Sequence, residues 1–152
     1  MKVVLQRSKN SSVSVDNKIV GSINMGLVVF LGVGKNDTEV DIDYLVNKII
    51  NLRIFEDDEG KMNKSLIDVD GEILLVSQFT LFAETKKGRR PSFINAGAPE
   101  KAILFYEIFK EKLIHHGIST KTGIFQAEME VNIKNDGPVT IIIDTEDNKL
   151  GE

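Results

Sequence analysis

At 152 residues the chain has room for one domain with a real core, and 41% hydrophobic and 28% charged residues place it among ordinary soluble globular proteins. A formal net charge of −4 excludes non-specific coating of nucleic acid, so a nucleic-acid partner has to be met by a local patch. The absence of cysteine excludes disulfides, thiol nucleophiles and thiolate metal sites; no apolar run is long enough for a membrane span, residues 1–10 carry too short a run for a signal peptide, and a cytoplasmic location is expected.

Lys2–Arg7 predicts a first strand and Ser8–Ser11 a polar turn. Val13 and Val15 alternate with Ser12, Ser14 and Asp16, as in a half-buried strand, and Asn17-Lys18 reads as a hairpin turn before Ile19–Ile23. Gly26–Val33 is almost continuously apolar, which predicts a central strand. Gly32-Val33-Gly34-Lys35 is too short for a phosphate loop, which needs four residues between its glycines and Ser or Thr after the Lys; it reads as a glycine-rich strand exit. Ile42, Leu45, Val46, Ile49 and Ile50 follow helical spacing, so a helix is predicted over Thr38–Leu52, opened by a capping box of Thr38 and Asp41. Arg53-Ile54-Phe55 predicts a short strand. Glu56–Gly60 is acidic but lacks calcium-loop spacing and reads as an exposed turn; Asp70-Gly71 marks another.

Glu72–Phe93 is the stretch with most to explain. Ile73–Val76 are apolar on both faces, and Phe79, Leu81 and Phe82 continue the run, predicting one buried strand. Ser77, Gln78 and Thr80 sit inside it. Buried hydroxyls and amides need partners, so they either satisfy nearby backbone or line a polar pocket. Lys86, Lys87, Arg89 and Arg90 then gather around Gly88. They read as a solvated loop or as a patch for a phosphate-bearing substrate.

Pro99–His116 predicts a second helix, with Ala102, Phe105, Tyr106, Phe109 and Leu113 as its buried stripe and Gly117 as its C-cap. His115 and His116 fall in the last turn, where they complement the helix dipole, and a Ser-His-Asp triad is not visible. From Phe125 to Lys134 apolar and polar residues alternate without a break, predicting an amphipathic strand with Phe125, Ala127 and Met129 on one face and Gln126 on the other. Asn135–Pro138 reads as a turn, with an ordinary trans bond on the residues alone, before a last strand Val139–Asp144. Residues 1–145 are expected to form a single domain and the polar tail 146–152 to fray. Seven or eight strands and two helices suggest a β-rich α/β (α+β) domain with sheets packed together and two outer helices.

Several segments, in this order and spacing, resemble the D-aminoacyl-tRNA deacylase (D-tyrosyl-tRNA deacylase) family: Leu5–Arg7, Gly60–Asn63, Ser77–Leu81, Arg90–Phe93, and Thr122–Val131 followed by Asn135–Thr140. The resemblance implies a three-layer β/β/α sandwich or barrel-like arrangement, a homodimer, and hydrolysis of the ester joining a D-amino acid to the 3′-terminal adenosine of tRNA. It implies that Ser77, Gln78, Phe79 and Thr80 line the active site. It implies that Phe125 and Ala127 lie near the adenosine, with Met129 close to a Gly-cisPro motif at Gly137-Pro138 that reaches into the partner's pocket and excludes L-amino acids. The cluster Lys86, Lys87, Arg89 and Arg90 is then where tRNA phosphates are expected. At Gln126 the resemblance leads us to expect glycine or alanine. No cofactor, metal, membrane or DNA is called for.

Two mechanisms fit the residues. Thr80 could be the nucleophile, though no base is visible to activate it. Alternatively the protein positions ester and water, backbone N–H groups at Phe79 or Thr80 hold the oxyanion, and the substrate's 2′-hydroxyl assists. The second is preferred. A non-catalytic RNA-binding module and a small-molecule ester hydrolase are the competing functions.

Overall fold

In a computed structural model that describes residues 1–149, two long antiparallel strands form the spine, β1 (Lys2–Val15) and β2 (Lys18–Gly32). Asp16 and Asn17, with φ of 50° and 61°, make the tight turn between them, one residue earlier than expected. Both residue types tolerate the left-handed region, and two such residues match the twist of a hairpin. The turn expected at Ser8–Ser11 does not form. The strand runs straight through it, Asn10 taking φ of 51°, while the buried Ser8 and Ser11 hydroxyls hydrogen-bond to each other. Residues that read as turn formers are here satisfied as a pair inside the domain. Ile19–Ile23 and the Gly26 run are likewise a single strand.

The hairpin β3 (Phe55–Glu56) and β4 (Met62–Lys64) stands apart and carries the acidic turn. Strand β5 (Glu72–Ser77) pairs parallel to β2, and β6 (Thr120–Thr122) parallel to β5. Parallel neighbours need long crossovers. Helix α1 (Glu39–Asn51) supplies the first, and α2 (Pro99–His115) the second. The capping box of Thr38 and Asp41 is present, and α2 ends as the sequence predicts: Gly117 takes φ of 80°, its N–H donates to Ile114, and Ile118 N–H donates to Leu113.

Both faces of β5 are covered, as its continuous apolar run requires. Ile73 and Leu75 pack on the helix side with Leu5, Val29, Ile49 and Phe109. Leu74 and Val76 pack on the other side with Val13, Ile23 and Val28, which means the far end of the β1–β2 hairpin curls over the sheet. Gly21 permits that approach: a Cβ there would sit 2.6 Å from the Thr122 carbonyl oxygen.

The last segments differ most from expectation. Strands β7 (Glu130–Asn132) and β8 (Asn135–Asp144) do not form a hairpin around Asn135–Pro138. They run end to end along the same edge of β1, β7 against Ser12–Ser14 and β8 against Lys2–Ser8. Within β8 the register jumps: Gln6 faces Thr140 and Ser8 faces Asn135, so Arg7 alone faces Asp136–Val139. The turn residues are an outward excursion of one strand, and the Gly137-Pro138 peptide within it is cis. The tail forms one helical turn, α3 (Glu146–Lys149); the rest of the predicted fray, 150–152, lies outside the described residues. The whole is a mixed, sheet-rich α/β fold with two main helices.

Candidate active site

The strand that opens the Glu72–Phe93 stretch ends sooner than its apolar run suggests. β2 stops at Gly32, so the last residue of β5 with a partner is Ser77, facing Leu31. Gln78 N–H still donates to the Leu31 carbonyl, at 2.8 Å, and the chain then coils into a 3-10 turn, Phe79–Phe82. Gln78 and Thr80 therefore do not belong to the strand predicted for this run. Phe79 and Thr80 are exposed, and the Gln78 Nε2 donates to the Thr80 hydroxyl. The ladder of the 3-10 turn begins with Leu81 N–H on the Gln78 carbonyl. The N–H groups of Phe79 and Thr80, one residue apart at the start of that turn, thus have no acceptor within it.

These residues form one wall of a cleft of about 770 Å³, a size that suits a small ligand. Ser77, Gln78 and Phe79 supply that wall. Phe125, Gln126, Ala127 and Met129 supply the other. Leu31, Val33 and Val76 line it from the sheet, while Gly97, Pro99 and Tyr106 close it on the helix side. Phe79 is braced edge-on by Phe93, ring centroids 5.0 Å apart, which gives the Arg90–Phe93 segment a structural reason. Tyr106 is buried and donates to the Leu75 carbonyl at 2.9 Å, and its ring lies 5.9 Å from that of Phe125. Burial pushes its phenol well above the ordinary range, the Glu107 charge adds to this, and a hydrogen bond with Thr122 opposes it. Tyr106 is a neutral strut between α2, β5 and the Phe125 turn.

The second wall corrects the sequence reading. The strand predicted for Phe125–Lys134 shrinks to β7, although exposure still alternates along the whole segment. Its start is a β-turn, Ala127 N–H donating to Ile124 at 3.1 Å, with Gln126 at φ of 64°. A positive φ at that position favours glycine, one of the two residues the resemblance leads us to expect there, but not alanine, the other. The turn also brings Gln126 to the same cleft as Phe125 and Ala127, not to the opposite face.

Other predicted site residues lie elsewhere. Thr80 does not line the cleft, though its hydroxyl meets Gln78. Lys86, Lys87, Arg89 and Arg90 are exposed on a loop closed by paired hydrogen bonds between Glu84 and Ser92, with Gly88 at φ of 68°. Gly137 and Pro138 are exposed and outside this chain's own cleft. His115 and His116 sit at the far end of the 17-residue α2, about 25 Å along its axis from Pro99. Among the described residues no cluster of His, Asp or Glu is placed to hold a metal ion.

Sequence reasoning missed the residue that holds the excursion. Arg7 is only 5% exposed. Its Nε donates to the Asp136 carbonyl at 3.2 Å and lies 3.3 Å from the Asp136 carboxylate; its Nη1 donates to the Ile54 carbonyl at 2.9 Å. A Cβ on Gly137 would come 3.1 Å from Nη2. The Leu5–Arg7 segment marked the residue without revealing its partners, which are more than a hundred positions away for Asp136.

With this geometry in view, the family model described as D-Tyr-tRNA(Tyr) deacylase matches residues 4–144. A D-aminoacyl-tRNA deacylase of Aquifex aeolicus is 61% identical over 145 residues, 95% of this chain and 98% of the relative. One of Thermosipho melanesiensis is 55% identical over 146 residues, 95% and 97% respectively. A solved structure named c-Myc DNA Unwinding Element Binding Protein superposes with a TM-score of 0.89 at 43% identity, covering 95% of this chain and 98% of that one. Another, named a probable eukaryotic D-amino acid tRNA deacylase, gives 0.79 at 20% identity over 94% and 98%, which speaks to the fold alone.

Proposed function

The chain belongs to the D-Tyr-tRNA(Tyr) deacylase family, and from this premise we propose how it acts on its substrate. It is an enzyme, a hydrolase of D-aminoacyl-tRNA. The observation that carries the site assignment is the meeting of Ser77, Gln78 and Phe79 with Phe125, Ala127 and Met129 around one cleft. In the proposed reaction water attacks the ester carbonyl carbon, the carbonyl π pair moves onto oxygen, and the N–H group of Phe79, on the cleft wall, holds that oxyanion. The intermediate collapses with loss of the 3′-oxygen, which takes up a proton, and free D-amino acid and tRNA leave. The substrate's 2′-hydroxyl assists the water. The Thr80 hydroxyl is outside the cleft lining and engaged by Gln78, and no histidine is near, which supports this route over a Thr80 nucleophile.

Chiral selection is assigned to Gly137-Pro138, acting on the cleft of a second copy in a homodimer. Their exposure outside this chain's own cleft supports that reading, as does the exposed apolar Ile142 on the same strand. A backbone device that blocks the L-side-chain direction rejects by clash and ignores side-chain identity. Broad tolerance for D-amino acids follows, and glycyl-tRNA, including glycine mischarged on the alanine tRNA, is also cleaved because glycine has no side chain to reject. Lys86, Lys87, Arg89 and Arg90 hold tRNA phosphates. DNA is not a proposed partner. No helix among the described residues is long and apolar enough to cross a membrane, and the cytoplasm is the proposed workplace.

The test is a deacylation time course on D-tyrosyl-tRNA and L-tyrosyl-tRNA. Loss of the D-ester alone is expected. Binding of tRNA without cleavage would replace the hydrolase by a binding module, and equal cleavage of both esters would remove Gly137-Pro138 from the account.

A further inference from the structure

Val33, Ala96 and Gly97 line the cleft, and they lie in a short antiparallel ribbon. Gly34 bridges to Ala96, Lys35 N–H donates to the Asn95 carbonyl at 3.1 Å, and Gly97 N–H donates to the Val33 carbonyl at 2.8 Å. Two short strands are marginal on their own, and glycine at 34 and 97 makes this pair costly to order. The β2 side is fastened from within the domain. Gly34 N–H donates to the buried Asp37 carboxylate at 2.5 Å, and the other Asp37 oxygen takes the Met1 ammonium at 2.7 Å. The other side leads into α2 through Ala98, an N-cap that makes no side-chain bond to the helix.

Lys101 joins the two sides. It stands in the first turn of α2, the positive end of the helix dipole, where a cation is disfavoured. Its ammonium is nonetheless directed. It donates to the Lys35 carbonyl at 2.8 Å, 66 positions away, and lies 5.1 Å from the centre of the Phe105 ring one turn on. The bond fastens the end of the ribbon to the first turn of α2. Pro99 and Ala102 of that turn line the same cleft. A residue set against a local rule, with its polar group committed to one distant carbonyl, points to a task beyond the helix.

We infer that Lys101 is a positioning residue: its ammonium holds the β2 exit to the start of α2 and so keeps the helix side of the cleft in the shape that binds substrate. The inference rests on the hydrolase reading above. Lys101 does not touch the ester, which is assigned to the Ser77–Phe79 wall.

The test uses the full chain with D-tyrosyl-tRNA and the variants Lys101→Met and Lys101→Arg. Methionine keeps the apolar stem against Phe105 and removes the donor. KM is expected to rise about threefold to tenfold, the worth of one ordinary hydrogen bond, with kcat little changed. Arginine can still donate to the carbonyl and lie over the ring, so its KM is expected within about twofold of the wild type. In Lys101→Met the amides of Lys35 and Gly97 should exchange with solvent faster by the same threefold to tenfold, while that of Ala127, in a separate turn, is unchanged. An unchanged KM in Lys101→Met, a loss confined to kcat, or an arginine variant as impaired as the methionine one would overturn the inference and leave the hydrolase intact. A wild type that cleaves nothing would overturn the hydrolase reading; the exchange rates would still decide the clamp, and unchanged rates at Lys35 and Gly97 would overturn it.

Discussion

Replacing Arg7 by methionine tests the link between the β1 clamp and the Gly137-Pro138 excursion. Methionine keeps the length and apolar stem, so the change isolates the guanidinium. That group makes charge-assisted hydrogen bonds to the carbonyls of Asp136 and Ile54, at 3.2 and 2.9 Å, and an ion pair with Asp136. Deleting it strips partners from two carbonyls beside a side chain only 5% exposed. The Asp136 carboxylate, at 32% exposure, recovers part of its hydration. Setting a loss of about 1.5–3 kcal/mol per charged hydrogen bond against that recovery gives a net destabilisation of about 3 kcal/mol. For a domain of this size it lowers the midpoint of thermal unfolding by about 6–12 °C. Arg7→Lys, able to reach one acceptor at a time, falls between. Thermal unfolding and the ratio of D- to L-tyrosyl-tRNA cleavage are measured on the same preparations. The ratio is expected to fall because the excursion is no longer held. A methionine variant melting within about 2 °C of the wild type would refute the clamp. A large drop in stability with an unchanged ratio would detach the excursion from chiral selection.

Asp41 is buried; desolvation pushes its carboxyl up, but hydrogen bonds from Thr145, the Thr38 backbone and Lys149, with the N-terminal charge, outweigh this and hold it at about 2, below the usual 3.8. Its contribution, about 1–2 kcal/mol after solvent screening, is therefore complete above pH 4 and lost as pH falls toward 2, so urea midpoints of Asp41→Asn and wild type should converge over that interval. Tyr106→Phe leaves the Leu75 carbonyl without its donor and should cost about 1–2 kcal/mol in denaturant unfolding, yet leave the pH–rate profile in place; a displaced profile would make the phenol a chemical participant. Thr80→Val should retain single-turnover deacylation within about tenfold, whereas loss beyond about a thousandfold with fold and binding intact would restore the hydroxyl nucleophile.

Elements whose information is local were legible. The spacing of Ile42 to Ile50 places α1, Gly117 ends α2, and the apolar run Ile73–Val76 announces a strand covered on both faces. Relations between distant segments were not. β5 stops because β2 stops, a fact written at Gly32 and not at Ser77. The alternation after Phe125 matches the exposure along the segment but missed the turn that brings Gln126 to the cleft, and it cannot say that β7 and β8 share one edge of β1, so a hairpin was expected where the chain runs straight on. Ser8 and Ser11 read as a turn because their polarity does not show that the rest of the domain buries them within β1. The candidate site was legible through its motifs, which named six of the cleft-lining residues. Tyr106 in the cleft and the Arg7 clamp required the three-dimensional partners.

The two walls of the cleft differ in how they are fastened. β5 is hydrogen-bonded on both sides, to β2 along its whole length and to β6. The Phe125–Met129 wall hangs from a single turn bond and the three-residue β7. Such a segment opens at a small fraction of the global unfolding free energy, while a central strand opens only with the whole domain. Amide protons of the Phe125 wall should therefore exchange with solvent quickly and become protected when a tRNA end is bound, and those of β5 should exchange slowly throughout. The expected difference in mobility between the two walls is thus built into strand length: one wall is an anvil and the other a latch.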